Sequence, residues 1–305
     1  MKILVLYGGR SVEREVSLVS GKACAEALQT KGHQVSLFDL AEGVPALLRI
    51  LEDRPDLVFN ALHGRWGEDG NIQGLLNMLG IPYTHSGVLA SALAMDKVMA
   101  KRLFAQVGLR CPSGLISDRR SLLAGDPLPR PYVVKPIREG SSVGVVIVKE
   151  GDNALPYFED DWPFGEEVLV ERYIPGRELT VAVMGDRALA VTELRPRQGF
   201  YDYEAKYTEG KTDHLVPAPL EEDLRREAME SALAAHRALG CRGVSRADFR
   251  FDDREEAGEE GGLYLLEVNT QPGMTPLSLV PEQAAYCGIS FPDLVEWIAE
   301  RAQCD

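Results

Sequence analysis

The stretch MKILVLYGGRSVEREVSLVSGKACAEALQTKGHQVSLFDL, Met1–Leu40, sets how the chain begins to fold. Lys2–Tyr7 is an apolar run of strand length closed by Gly8-Gly9. Val12, Val16, Val19, Ala23 and Ala27 then recur at helical spacing, and His33–Leu40 reads as a second strand. Asp56–Leu62 reads as a third and ends at His63-Gly64. A β-α-β-α-β order predicts a parallel sheet with helices on its faces. Ligands of such sheets lie beyond the carboxyl ends of the strands, where both glycine-bearing turns fall.

Farther along, Gly70–Met95 contains no Asp, Glu, Lys or Arg and is long enough to span a bilayer. Gly74, Gly80, Pro82 and Gly87 interrupt it, so it reads as a buried helix, a short strand and a second helix. A helix over Asp96–Val107 leads to the strands Pro131–Lys135 and Val145–Val148, a hairpin whose tip is the glycine- and serine-rich REGSSVG, Arg138–Gly144. Glu167–Tyr173, Glu178–Met184 and Ala188–Leu194 are further strands. Arg195–Pro219 has no clear period and contains FYDYEAKY; a loop of that length in a compact protein is a functional lid or disorder. Glu221–Leu239 is an amphipathic helix ended by Gly240. Gly243–Asp252 and Leu263–Thr270 are the closing strands, joined by an acidic turn that is expected to face solvent, and helices fill the C-terminus.

The 305 residues carry a formal charge of −14, which disfavours nucleic acid and anionic membrane as partners. The acid surplus sits in Glu159–Glu167, Glu221–Asp223 and Asp252–Glu260, and none of these runs holds a candidate site residue. Five scattered cysteines without a C-x-x-C fit a reducing compartment, and the short apolar N-terminus is no signal peptide, so a cytoplasmic location is expected.

The closing strands carry the strongest local chemistry. Glu267 and Asn269 share one face of their strand, and Arg246 and Asp248 share one face of theirs. If the two strands pair antiparallel, Asp248, Glu267 and Asn269 converge as hard oxygen donors suited to Mg²⁺; otherwise they form a polar face turned to water. REGSSVG lacks the Walker spacing, but its N–H groups and hydroxyls are able to fold over phosphates; it reads equally as a plain turn. Lys97 and Lys135 have apolar flanks, which favours cleft positions over solvated surface. Glu171 and Glu178 flank a Pro-Gly turn, as hairpin charges or as partners of an adenine amine and a ribose diol. Glu13 caps a helix or faces a ligand. TQPGMTPLSL, Thr270–Leu279, offers N–H donors to a carboxylate or an oxyanion. His63 is a core histidine or, given the HGRWGEDG context, part of a site.

Together GGRSVEREVS, ALHGRWGEDGNIQG, MDK, VKPIREGSSVG, LVERYIPGRE, FYDYEAKY, SRADF and EVNTQPGMTPLSLVP resemble the ATP-grasp superfamily, and within it the D-alanine–D-alanine ligase family. The stretches run in order from residue 8 to 281. The resemblance implies an α/β chain, α+β in its C-terminal two-thirds, in three domains. These are an N-terminal Rossmann-like unit (1–95), a central ATP-grasp subdomain (96–175) and a C-terminal ATP-grasp domain (176–305) with a lid at 195–219. It implies Lys97, Lys135 and Lys206 on the phosphates of ATP, Ser142 in the covering loop, Glu171 at adenine and Glu178 at ribose. Asp248, Glu267 and Asn269 are implied to hold two Mg²⁺ or Mn²⁺ ions. Glu13 is implied at the amine of the first D-alanine and in a triad with Ser141 and Tyr207. His63 is implied near that substrate's carboxylate, Ser278 and Leu279 at the second carboxylate, and Arg246 with the Gly273 N–H at the tetrahedral intermediate. The family also implies a homodimer, with the uncharged Gly70–Met95 region as interface. Tyr207 favours D-alanine over D-lactate as the second substrate. Two alternatives stand beside this reading: another ATP-grasp carboxylate–amine ligase, and a non-catalytic nucleotide-binding regulator of the same fold. A nicotinamide-dependent dehydrogenase is disfavoured because Gly8-Gly9 lacks the G-x-G-x-x-G spacing.

Overall fold

The computed structural model describes residues 1–140, 144–152, 165–197, 210–254 and 261–305. The N-terminal sheet is parallel, with β1 (Lys2–Tyr7) in the middle between β2 (Gln34–Asp39) and β3 (Leu57–Asn60). All four residues of β3 and the four central residues of β1 are buried, as a parallel sheet covered on both faces requires. Val58 forms a further parallel bridge with Tyr83, which pairs in turn with Gln303. The short strand expected between the helices Asn71–Leu79 and Val88–Met95 is therefore a single bridging residue. Among the described residues no helix is long and apolar enough to cross a membrane.

Helix α1 (Arg14–Thr30) departs from the apolar periodicity. Val12 lies before it and is 64 % exposed, and Val19 is 48 % exposed. Val16 and Ala27 of the expected set are buried, and Ser17, Ser20, Gly21, Cys24, Ala25 and Leu28 complete the buried face. Small side chains let the helix lie close to β1: a Cβ on Gly21 would come within 2.4 Å of Tyr7. The helices Leu279–Tyr286 and Phe291–Ala299 return to this layer, where Val280, Leu294, Val295 and Ile298 pack with Ile3, Val5, Cys24 and Leu28.

The remaining sheets are antiparallel. One has the order β4 (Gly114–Asp118), β7 (Glu167–Arg172), β5 (Tyr132–Pro136), β6 (Val146–Val148). β5 and β6 form the expected hairpin; β4, mostly exposed, carries too little apolar pattern to be read from sequence. The other has the order β10 (Thr212–Leu215), β9 (Arg187–Pro196), β8 (Arg177–Met184), β11 (Val244–Asp252), β12 (Gly262–Asn269). The helix Lys97–Gln106 contributes Ala100 and Phe104, and the helix Glu222–Ala238 contributes Ala228, Ala232 and Ala235, to the core beneath it.

Two expectations change. The segment 195–219 is not loop throughout, because β9 runs to Pro196 and pairs with β10. Asp252, placed in a solvent-facing acidic turn, is 3 % exposed and is clasped by Arg254.

Candidate active site

Two cavities meet at the junction of the three sheets. One is lined by Glu13, His63, Glu68, Arg246, Asn269, Gly273, Ser278 and Leu279, among others. The other is lined by Lys135, Glu171, Glu178, Asp248, Arg250 and the apolar Val133, Val145, Ile174 and Leu266, among others. Lys97, Glu139, Gly140 and Glu267 line both.

The first cavity is built at the carboxyl ends of β1 and β3. Glu13 stands immediately before α1 and is 5 % exposed. Gly64 has φ +70°, and a Cβ there would lie 2.7 Å from Glu13 Oε2; one on Gly140 would lie 3.2 Å from the same oxygen. The positive φ makes glycine the fitting residue at 64, while at Gly140 the carboxylate would have to give by a few tenths of an ångström. His63 is buried, with Nδ1 3.1 Å from Glu68 Oε1 and Nε2 3.2 Å from Ser20 Oγ. Burial lowers its pKa, so the ring is neutral, and Glu13 only partly offsets this. Burial likewise pushes Glu68 up to about 8, so this acid holds a proton near neutrality.

The opposite wall is a loop held from several sides. Gln271 accepts from Asn60 Nδ2 at 2.7 Å and donates to the Leu62 carbonyl, while the Asn269 amide oxygen accepts from the Gln271 N–H at 2.8 Å. The Met274 N–H donates to Ser20 Oγ at 3.1 Å. Gly273 is pressed against Ser278, where a Cβ would lie 2.9 Å from Oγ. Ser278 is the N-cap of the helix Leu279–Tyr286, whose first N–H groups have no intrahelical partner and suit a carboxylate.

Between the cavities β11 and β12 pair antiparallel, with Arg246 opposite Asn269 and Asp248 opposite Glu267. The antiparallel pairing on which the expected convergence depends is therefore realised. Arg246 donates to both Asp248 oxygens, from Nε to Oδ1 at 2.8 Å and from Nη2 to Oδ2 at 2.7 Å; Thr180 donates to Oδ1 at 2.7 Å. The register shifts after Asp248, leaving Leu266 as an extra residue on β12, so Leu266 and Glu267 both line the second cavity despite being neighbours. Lys97 Nζ lies 3.5 Å from Glu267 Oε2 and donates to the Glu139 carbonyl.

In the second cavity Glu171 is 2 % exposed and ion-paired to both Lys135 and Lys101. Burial opposes its charge, but the two lysines outweigh burial and hold the carboxyl below its ordinary value. Glu178 pairs with Arg250 at 3.3 Å, and Arg250 also donates to the carbonyls of Ile174 (3.0 Å) and Gly176 (2.8 Å).

Every expected site residue within the described chain lines one of the two cavities. Ser141, Ser142, Lys206 and Tyr207 lie outside the described residues. Sequence reading missed Glu68, Lys101, Arg250 and Ser20. Lys101 follows Lys97 by one helical turn and Arg250 continues the Arg246, Asp248 alternation, so both carried a spacing signal. Glu68 sat in a quoted motif without a role, and Ser20 carried none.

Family models described as D-ala D-ala ligase C-terminus and D-ala D-ala ligase N-terminus match residues 125–300 and 46–86. The D-alanine–D-alanine ligase of Rhodospirillum rubrum is 57 % identical over 305 residues, covering 100 % of this chain and 99 % of that protein. The D-alanine–D-alanine ligase of Paramagnetospirillum magneticum is 59 % identical over 307 residues, with 100 % and 99 % covered. Two crystal structures of the Bacillus anthracis D-alanine–D-alanine ligase, the second complexed with ATP, superpose with a TM-score of 0.81 at 32 % and 30 % identity, covering 98 % of this chain and 96 % of theirs.

Proposed function

Because the chain belongs to the D-alanine–D-alanine ligase family, we propose that it joins two D-alanine molecules into D-alanyl-D-alanine for peptidoglycan synthesis. ATP is split to ADP and phosphate. The observation that carries this reading is the pair of cavities sharing Lys97, Glu139, Gly140 and Glu267, since the chemistry requires an amino-acid carboxylate beside a γ-phosphoryl group.

A carboxylate is a poor electrophile. The first D-alanine therefore attacks the γ-phosphorus through a carboxylate oxygen, ADP leaves, and an acyl phosphate forms. Such a transfer needs positioning and charge neutralisation more than covalent help. Lys97, at the boundary of the cavities, Lys135 and Lys206 supply positive charge, and Ser142 covers the phosphates. Glu171, oriented by its two lysines, accepts from the adenine amine, and Glu178 binds the ribose. Glu13 holds the first amine, with Ser141 and Tyr207 completing its hydrogen-bonded triad, and His63 stands near that substrate's carboxylate. The second D-alanine is anchored by its carboxylate at Ser278 and Leu279. Its neutral amine attacks the acyl carbon, phosphate departs, and the amine proton is lost. Arg246 and the Gly273 N–H stabilise the tetrahedral oxygen; the clasp on Asp248 fixes the guanidinium's orientation.

Asp248, Glu267 and Asn269 would hold two Mg²⁺ or Mn²⁺ ions, which when bound neutralise phosphate charge. The donor set fits: Asp248 Oδ1 already accepts two hydrogen bonds, but Oδ2 accepts one from Arg246 and keeps a lone pair for a cation. The division at 1–95, 96–175 and 176–305 is supported by each sheet falling within one segment. Met78 and Leu89, 88 % and 70 % exposed on the uncharged stretch, support a homodimer through that face. A cytoplasmic location is supported by five free cysteines.

The test is phosphate release from ATP and Mg²⁺ with D-alanine, L-alanine or no amino acid. Release with D-alanine alone is expected. ATP binding without release would leave a non-catalytic nucleotide-binding regulator, and release only with another amino acid would make the chain a different carboxylate–amine ligase.

A further inference from the structure

Resting on that reading, we propose that Ser20 is a positioning residue which sets the tautomer of His63 and steadies the loop that carries Gly273. Ser20 lies on the buried face of α1 with 0 % exposure, beneath the first cavity. Its hydroxyl oxygen has two partners, the Met274 N–H at 3.1 Å and His63 Nε2 at 3.2 Å.

Proton counting gives these contacts a direction. The Met274 amide can only donate, so Ser20 Oγ accepts there. The hydroxyl proton then needs an acceptor, because a buried donor left without one is costly. His63 Nε2 is the partner within reach, so it is the unprotonated nitrogen. The ring proton therefore sits on Nδ1 and is donated to Glu68 Oε1 at 3.1 Å. The Gln271 carbonyl is the competing acceptor beside the ring. If it took a proton from Nε2, the Ser20 hydroxyl would be stranded.

Two consequences follow. Both nitrogens of His63 are engaged by the protein, so His63 shapes the cavity and orients Glu68 instead of offering a nitrogen to substrate. Moreover, one hydroxyl spans α1, which begins just after Glu13, and the residue following Gly273. The amine site and the oxyanion donor are thereby referred to one helix.

The experiment uses the full chain labelled with ¹⁵N-histidine, with His63 assigned by loss of its signals in His63→Asn. Two-bond ¹H–¹⁵N spectra at neutral pH are expected to show the Nδ1–H tautomer in the wild type; the Nε2–H tautomer would overturn the proposal whether or not Ser20→Ala folds. In Ser20→Ala the His63 signals are expected to shift toward a tautomer mixture, and kcat to fall about tenfold with KM for ATP unchanged. Ser17→Ala is the control: it removes an equally buried hydroxyl of the same helix, bonded to the Gly8 N–H and the Ala61 carbonyl. A kcat within twofold of wild type in Ser20→Ala, or an equal loss in Ser17→Ala, would refute the positioning role. If the wild type releases no phosphate with D-alanine, the ligase reading fails while the spectra still decide the tautomer.

Discussion

Replacing Gly64 by alanine separates the amino-acid cavity from the nucleotide cavity. Gly64 has φ +70°, a conformation that costs an L-residue roughly 1–2 kcal/mol. The added methyl would sit 2.7 Å from Glu13 Oε2, 3.2 Å from Ser11 Cβ and 3.3 Å from Ser11 Oγ. Van der Waals contact between carbon and oxygen requires the carboxylate to retreat by about 0.5–0.7 Å. Gly140 is a second close approach, since a Cβ there would lie 3.2 Å from the same oxygen. A misplacement of about 1 Å in a positioning group costs on the order of 10²-fold in rate. Gly64→Ala should therefore lower kcat/KM for D-alanine by about 10- to 100-fold, read by coupled phosphate release across a D-alanine titration. Gly64 does not line the second cavity, so KM for ATP should stay within about twofold and stability should fall by only about 1–2 kcal/mol. Wild-type D-alanine kinetics would refute the assignment of Glu13 to the substrate amine. A parallel loss of ATP affinity would show that the damage is not local.

Two further substitutions probe the buried acids. Lys101→Met leaves Glu171 with Lys135 as its remaining lysine partner in an almost fully buried place, so urea melts should show a loss of about 3 kcal/mol and KM for ATP should rise; unchanged values would remove Lys101 from the nucleotide site. Glu68→Gln tests the sign of a titration. Unfolded Glu68 releases its proton near 4.5, whereas the folded protein retains it up to about 8, so wild-type stability declines with rising pH between those values. Glutamine does not titrate, so the stability advantage of the variant in urea melts should be absent at pH 4, widen up to about pH 8, and then level off on the order of 5 kcal/mol; a pH-independent difference would show that Glu68 ionises in the folded protein as it does in the unfolded chain.

How much of this was legible in the sequence depended on whether a residue's partners were local. Lys2–Tyr7 could be read because a strand buried on both faces is apolar throughout, and Asp248, Glu267 and Asn269 because strand periodicity places them before any fold is known. The face of α1 is readable only in part: Val16 and Ala27 are buried as their spacing predicts, but serine, glycine and cysteine fill much of the contact surface while Val19 faces solvent. Apolar periodicity is blind to a helix that packs by being thin. Leu266 could not be anticipated beside Glu267, since a bulge breaks the alternation that the reading relied on. Glu68 and Lys101 acquire their roles from His63, Arg246 and Glu171, which burial and long-range folding bring to them.

The packing of the final helices against the first strand bears on how the chain reaches its native state. Ile3 and Val5 share a core with Leu294, Val295 and Ile298, and Tyr83 pairs with Gln303. The N-terminal layer thus cannot complete its apolar core until almost the whole chain has been synthesised. These contacts are among the most distant in sequence, and loop closure on that scale makes folding slow. A nascent chain lacking its last helices would carry β1 and α1 with one apolar side uncovered, a species open to association with other chains. Synthesis of the helices Leu279–Tyr286 and Phe291–Ala299 is therefore the event on which the N-terminal half of the active site waits.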